Sequence, residues 1–152
     1  MSCAVRTFET PEEAARGELP AEYVRVVGVA VRNEAAVVAQ VTNADGYPDA
    51  YEVETVECFR EGDGWVGGNS GNNNLVWMPT SEGRGTVVWW GEAPGGATAG
   101  RIRLGNQEQT VDVVDGFVFV VFDNVPEDDF RPYAPAHEKL AGLPKVVGWT
   151  NG

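Results

Sequence analysis

The sequence predicts a mainly β protein: an antiparallel sandwich or curled meander of about eight strands, with one or two short helices at the N-terminus. Three observations carry this. Valine-rich runs of strand length recur along the chain, Gly, Asn, Asp and Pro clusters separate them, and Arg101-Ile102-Arg103-Leu104 alternates with a period of two. The 19 Gly and 9 Pro recur as punctuation between apolar runs.

The first element is helical. Thr10 can cap, Pro11 suits the first helical position, Glu13 completes a capping box and Gly17 can end the helix. Leu19 to Tyr23 can add one more turn. Tyr23–Arg32 and Ala35–Thr42 then read as a hairpin turned at Asn33-Glu34, and Asn43 to Pro48 as a dense turn cluster. Tyr51–Arg60 reads as a third strand whose switch of parity predicts either a bulge near Thr55 or burial of both faces at one end. Glu61 to Gly64 turns the chain into Trp65-Val66. Gly67–Asn74, reading Gly-Gly-Asn-Ser-Gly-Asn-Asn-Asn, is expected to be a loop, because neither helix nor strand favours that composition.

Leu75–Met78 reads as a short strand closed by Pro79, and residues 81–85 as a loop. Thr86–Gly91 is a strand ended by Ala93-Pro94-Gly95-Gly96. In Arg101–Leu104 the alternation places Ile102 and Leu104 on one face, and Gly105-Asn106 makes a tight turn into Gln107–Val114, where Val111 and Val113 face inward. Asp115-Gly116 signals a hairpin. Phe117–Phe122 is an unbroken apolar run, as in a strand buried on both faces.

The chain of 152 residues carries 11 Lys+Arg against 23 Asp+Glu, a formal net charge of −12. The length favours a single domain over 1–152, or two sub-modules (19–79 and 86–123) sharing one core with a seam at 79–85. Residues 126–152 read as a partly irregular tail, with a short helix near Ala136–Leu140. The acidic surface argues against nucleic acid and against anionic membranes, both of which would repel it. No run approaches the roughly 20 apolar residues of a membrane span. The N-terminus lacks a basic stretch followed by an apolar one, so the expected location is cytoplasmic. Cys3 and Cys58 have no paired spacing, and nothing in the sequence demands a disulfide between them.

Asn69-Ser70-Gly71-Asn72, Trp90-Gly91-Glu92-Ala93-Pro94 and the segment from Val114 to Val120 resemble a pattern in a group of small bacterial β-rich proteins. In that group a Ser-Gly-Asn loop precedes a W-x-E-A-P strand end and a D-G hairpin. The likeness covers residues 19–130 and implies no function, since none is known for the group. By element order alone, a helix leading into a valine-rich meander resembles cystatin-like and nuclear-transport-factor-like domains.

Chemistry-bearing constellations are few. His137 is the sole histidine, which nearly excludes zinc sites built from His and Cys. Asp123, Asn124, Glu127, Asp128 and Asp129 cluster oxygen ligands but lack calcium-loop spacing, so no metal is expected. Ser70 does not lie in a G-x-S-x-G elbow, and Cys58 reads as an inert mid-strand thiol. Glu52 and Glu54 share a strand face with no sign of a cleft, and read as its solvent side. No glycine-rich phosphate cradle occurs, and no cofactor is implied.

The remaining candidate is the expected loop and its flanking indoles: Trp65, Asn69, Ser70, Asn72, Asn73, Asn74 and Trp77, joined by Trp90. In a regular strand one of the adjacent Trp89 and Trp90 points away from the core, and either packs on a neighbouring element or belongs to an interaction surface. The reading of Trp65 and Trp77 as core residues, with Asn and Gly merely allowing the positive φ of a long turn, comes first, because Trp is highly buried on average. Two function classes follow. The first is a non-catalytic acidic interaction module, using edge strands and an outward Trp to bind a protein with a basic surface or a second copy of itself. The alternative is a binder of a small, carbohydrate-like ligand through residues 67–74 and the flanking Trp rings. An enzyme trails both, because no acid–base or nucleophile arrangement is visible.

Overall fold

The computed structural model describes residues 6–43, 52–127 and 144–152. It is mainly β, as the sequence predicts, with ten antiparallel strands in three open sheets among the described residues. The chain divides into two compact units, Met1–Asn73 and Asn74–Gly152. The expected seam at 79–85 is instead the turn of a hairpin, because β5 (Leu75–Ser81) runs on through Pro79 and pairs with β6 (Arg84–Glu92). A register shift between Pro79 and Ser81 absorbs the proline.

In the first unit, α1 (Pro11–Arg16) forms where the capping residues stand. Thr10 Oγ1 accepts the Glu13 N–H at 3.1 Å, and Gly17 closes the helix at φ 59°. A 3-10 turn at Ala21–Tyr23 leads into β1 (Val24–Arg32), β2 (Ala35–Thr42), β3 (Glu52–Glu61) and β4 (Gly64–Gly71). These four strands form a meander in the order β1-β2-β3-β4. Asn33, at φ 55°, turns the first hairpin. The register shift of β3 lies against β4 between Val56 and Cys58, while the β2–β3 ladder runs unbroken past Thr55. α1 lies on the face carrying Ala36, Val38, Val56 and Cys58, and Ala14 and Trp65 complete that core. Two strand side chains tie it down: Gln40 Nε2 donates to the Ala15 carbonyl at 3.2 Å, and Cys58 Sγ to that of Pro11 at 3.6 Å.

β4 overturns the expectation of a loop over residues 67–71, while residues 72–74 lie outside any strand as expected. Phe8 pairs with Trp65 on its outer edge, exchanging two backbone bonds of 2.8 Å. A side chain at Gly67 would stand 2.8 Å from the Ala14 carbonyl oxygen, and one at Gly68 2.7 Å from the Phe59 ring. Glycine is here a strand residue because the helix and an aromatic ring come too close for a Cβ.

The second unit holds two three-stranded sheets, β5-β6-β9 and β10-β7-β8, where β7 is Ala97–Leu104, β8 Gln107–Asp112, β9 Phe117–Pro126 and β10 Lys145–Asn151. Val87, Ile102, Leu104, Val118, Val120, Phe122 and Val125 form its core, drawn from both sheets. β10 corrects the reading of 126–152 as a tail, since it pairs with β7 and packs Val146 and Trp149 against that core. The helix expected at Ala136–Leu140 lies outside the described residues. Asp115-Gly116 turns tightly, with φ of 51° and 86°. Only one bridge, Val114 to Phe117, follows before β8 joins β7 and β9 joins β6. In Phe117–Phe122 one face is sealed by Val118, Val120 and Phe122, and the other is half-covered. Among the described residues no helix is long and apolar enough to cross a membrane.

Candidate functional site

The candidate site forms in the first unit, where β4 leaves the sheet. β3 pairs with β2 from Glu52 to Phe59, but its ladder with β4 starts only at Thr55, opposite Gly71. Beyond that rung the chain departs through Asn72 and Asn73, held where Thr55 Oγ1 donates to the Asn73 carbonyl at 2.8 Å. A cleft of about 420 Å³ lies between the start of β3 and the end of β4, lined by Glu52, Val53, Glu54, Ser70, Gly71 and Asn72.

Its chemistry is that of two carboxylates on one strand face. Glu52 and Glu54 are two residues apart on β3 and therefore project to the same side. Gln40, opposite Glu54 on β2 and fully buried, donates from Nε2 to Glu54 Oε1 at 3.0 Å. Since the same amide nitrogen also serves Ala15, Gln40 Oε1 is left buried without a partner among the described residues. Thr42 Oγ1 donates to the Glu52 carbonyl at 3.4 Å. The carboxylates of Glu52 and Glu54 accept and carry negative charge, so they favour a cationic donor, while Ser70 and Asn72 add side chains that both donate and accept.

Of the residues singled out in the sequence, Ser70 and Asn72 line this cleft, and Asn69 stands exposed on β4 beside it. Asn73 contributes the carbonyl that anchors the exit of the chain. Trp65 is 4% exposed in the first unit's core, with the Arg60 guanidinium 5.1 Å from its ring, so it offers no open face for a sugar. Asn74, Trp77 and Trp90 belong to the second unit. Asn74 exchanges bonds with Trp90, whose carbonyl accepts from Nδ2 at 2.9 Å and whose N–H donates to the Asn74 carbonyl at 3.1 Å. Trp77 is half-buried over Gly85, where a Cβ would stand 2.5 Å from its ring. Trp90 is half-buried too and packs edge-on against Phe117, with centroids 5.9 Å apart. Trp89, its neighbour, packs on the core.

Three residues of the site escape a reading of the sequence alone: Glu52 and Glu54 in the lining, and Gln40, which bonds to Glu54 from outside it. Glu52 and Glu54 look like an ordinary solvent face, and Gln40 hides inside Ala39-Gln40-Val41. A signal for Gln40 does exist: an amide in the middle of a Val/Ala run is buried whichever way the strand faces, and so needs polar company.

Elsewhere, Cys58 is free and fully buried under α1. Burial, with the Glu12 carboxylate nearby, pushes its thiol up from 9.0 to about 11, so it holds its proton at neutral pH and is a poor nucleophile. Asp123 accepts from Thr86 Oγ1 at 2.7 Å. Among the described residues no group of three or more His, Cys, Asp or Glu is placed to hold a metal. No family model, curated protein or solved structure matches this chain.

Proposed function

We propose that the protein is a non-catalytic interaction module whose β3–β4 cleft receives a basic side chain of a protein partner. The observation that carries this reading is the pairing of Glu52 and Glu54 in the lining of one cleft, with Glu54 held in place by the Gln40 amide. A Lys or Arg supplies the donors and the charge that such a site favours. The net charge of −12 draws a basic partner in and turns acidic ones away. A free, buried cysteine suits the reducing cytoplasm.

The test is selection from a displayed library of random heptapeptides, at low and at high salt. Enriched sequences should carry Lys or Arg, weaken with salt, and lose binding to a Glu52→Gln/Glu54→Gln double variant. Enrichment without basic residues, or binding that ignores the double substitution, overturns the proposal.

A further inference from the structure

β4 carries four glycines, and the fold demands three of them. A Cβ on Gly64 would lie 2.7 Å from Thr7 Cβ, and Gly67 and Gly68 are held against Ala14 and Phe59 as described above. Gly71 differs. A Cβ there meets nothing within 4 Å, and its φ lies outside the left-handed region. Glycine in a strand costs about 0.5–1 kcal/mol relative to alanine, and no neighbour among the described residues calls for it. Strands also use glycine where a second backbone must come close.

Gly71 stands where β3 loses one of its neighbours. Along Glu52–Glu54, β3 has β2 on one side and, among the described residues, no strand on the other. Extending the line of β4 by three residues would fill that side, and this open lane is the cleft itself.

We infer that the partner binds by strand addition: an extended segment pairs with β3 along Glu52–Glu54, in line with β4, and passes over Gly71. The inference rests on the cleft's being a receptor for basic side chains and adds how the rest of the partner is held. Backbone pairing supplies affinity, and the alternating side chains supply selectivity. On one face, every second residue of the added strand meets Glu52 and Glu54. The intervening residues share a face with the half-buried Val53. The recognised segment therefore alternates basic and apolar residues.

The probe is an acetylated, amidated heptapeptide of alternating lysine and valine, titrated into the full chain and followed by the amide shifts of residues 52–54 and 68–72. A second peptide of the same sequence, N-methylated at alternate amides, keeps the charge and loses the ability to pair. Methylation is expected to weaken binding by about tenfold or more, since several backbone hydrogen bonds go at once. Gly71→Val fits the open space and suits a strand, so it should leave the melting temperature unchanged while weakening the unmethylated peptide comparably. Equal binding of the two peptides overturns strand addition, and so does full-strength binding by Gly71→Val. If Glu52→Gln/Glu54→Gln still abolishes binding in that case, the receptor for basic side chains stands alone. If the double substitution has no effect, or neither peptide shifts those amides at millimolar concentration, both readings fall.

Discussion

The two units reach a packed core by opposite routes. The second fills its interior with large side chains: Phe122 and Ile102 are fully buried, with Trp77, Trp89 and Trp149 around them. The first packs the small residues Ala14, Ala36, Val38, Val56 and Cys58 around one large ring, Trp65, under a six-residue helix, and gains contact through the close approach of backbones at Gly64 and Gly67. Their buried polar residues differ as well. The second unit buries Thr86, which bonds to Asp123, whereas the first buries Gln40, Thr42 and Thr55. Each of those three bonds toward the cleft: Gln40 to Glu54, Thr42 to Glu52 and Thr55 to Asn73. A core of mostly small residues around one Trp thus coexists with a set of buried hydrogen bonds that shape one end of its sheet, and the core richer in large side chains has no such commitment.

The largest effect that tests this contrast comes from truncating the aromatic core. Phe122→Ala should cost about 3–5 kcal/mol, because a fully buried ring leaves a cavity its neighbours only partly fill. Val38→Ala, equally buried in the first unit, removes two methyl groups and should cost about 2 kcal/mol. Urea unfolding of both variants checks the order. A Val38→Ala penalty as large as that of Phe122→Ala would show that the small-residue core is as sensitive to volume as the aromatic one.

The same contrast explains what could be read from the sequence. Ile102 and Leu104 alternate with arginines, and Phe117 to Phe122 is unmistakably apolar, so the strands of the second unit are legible from side-chain pattern. Helix α1 is legible too, because Thr10, Pro11, Glu13 and Gly17 act locally. β4 is not, since its strand character comes from what lies across from Gly67 and Gly68, and composition alone reads it as a loop. β10 escapes because its partner, β7, is over forty residues away in the chain. The Asp115-Gly116 turn is read correctly, but the parting of its strands into separate sheets is a tertiary choice. Of the cleft, Ser70 and Asn72 are visible in an unusual stretch, whereas Glu52 and Glu54 become interesting only once β4 is seen to stop at Gly71.

A smaller effect probes the first unit through Cys58. Its proton is held to about pH 11 in the fold and released near 9.0 from an unfolded chain. Below pH 9 both states are protonated, so the group's contribution is fully present. Between 9 and 11 the unfolded state binds fewer protons, and stability falls as pH rises. The drop attributable to this thiol should be on the order of 2 kcal/mol, read as the difference in urea midpoint between the wild type and Cys58→Val at pH 8 and at pH 11. An identical pH dependence in the two proteins would mean that the helix does not seal the thiol from water.

The smallest change in stability is expected where the first unit's polar bonds serve the cleft. Gln40→Leu removes the bonds to Ala15 and Glu54, but it also removes a buried oxygen that has no partner. Losing two bonds and relieving one orphan are opposed terms of similar size, so the net change should stay within about 1 kcal/mol. Thr86→Val, in the second unit, breaks a satisfied bond to a carboxylate with nothing to offset it, and should cost about 1.5–3 kcal/mol. Binding should reverse that order. Without the Gln40 amide, the Glu54 carboxylate loses the group that fixes its direction, and affinity for the lysine–valine peptide should fall although the fold is intact. Thr86→Val should leave that affinity unchanged. If Gln40→Leu instead unfolds the first unit while peptide binding by the remaining folded fraction is normal, Gln40 is a structural tie between β2 and α1, and its contact with Glu54 is incidental.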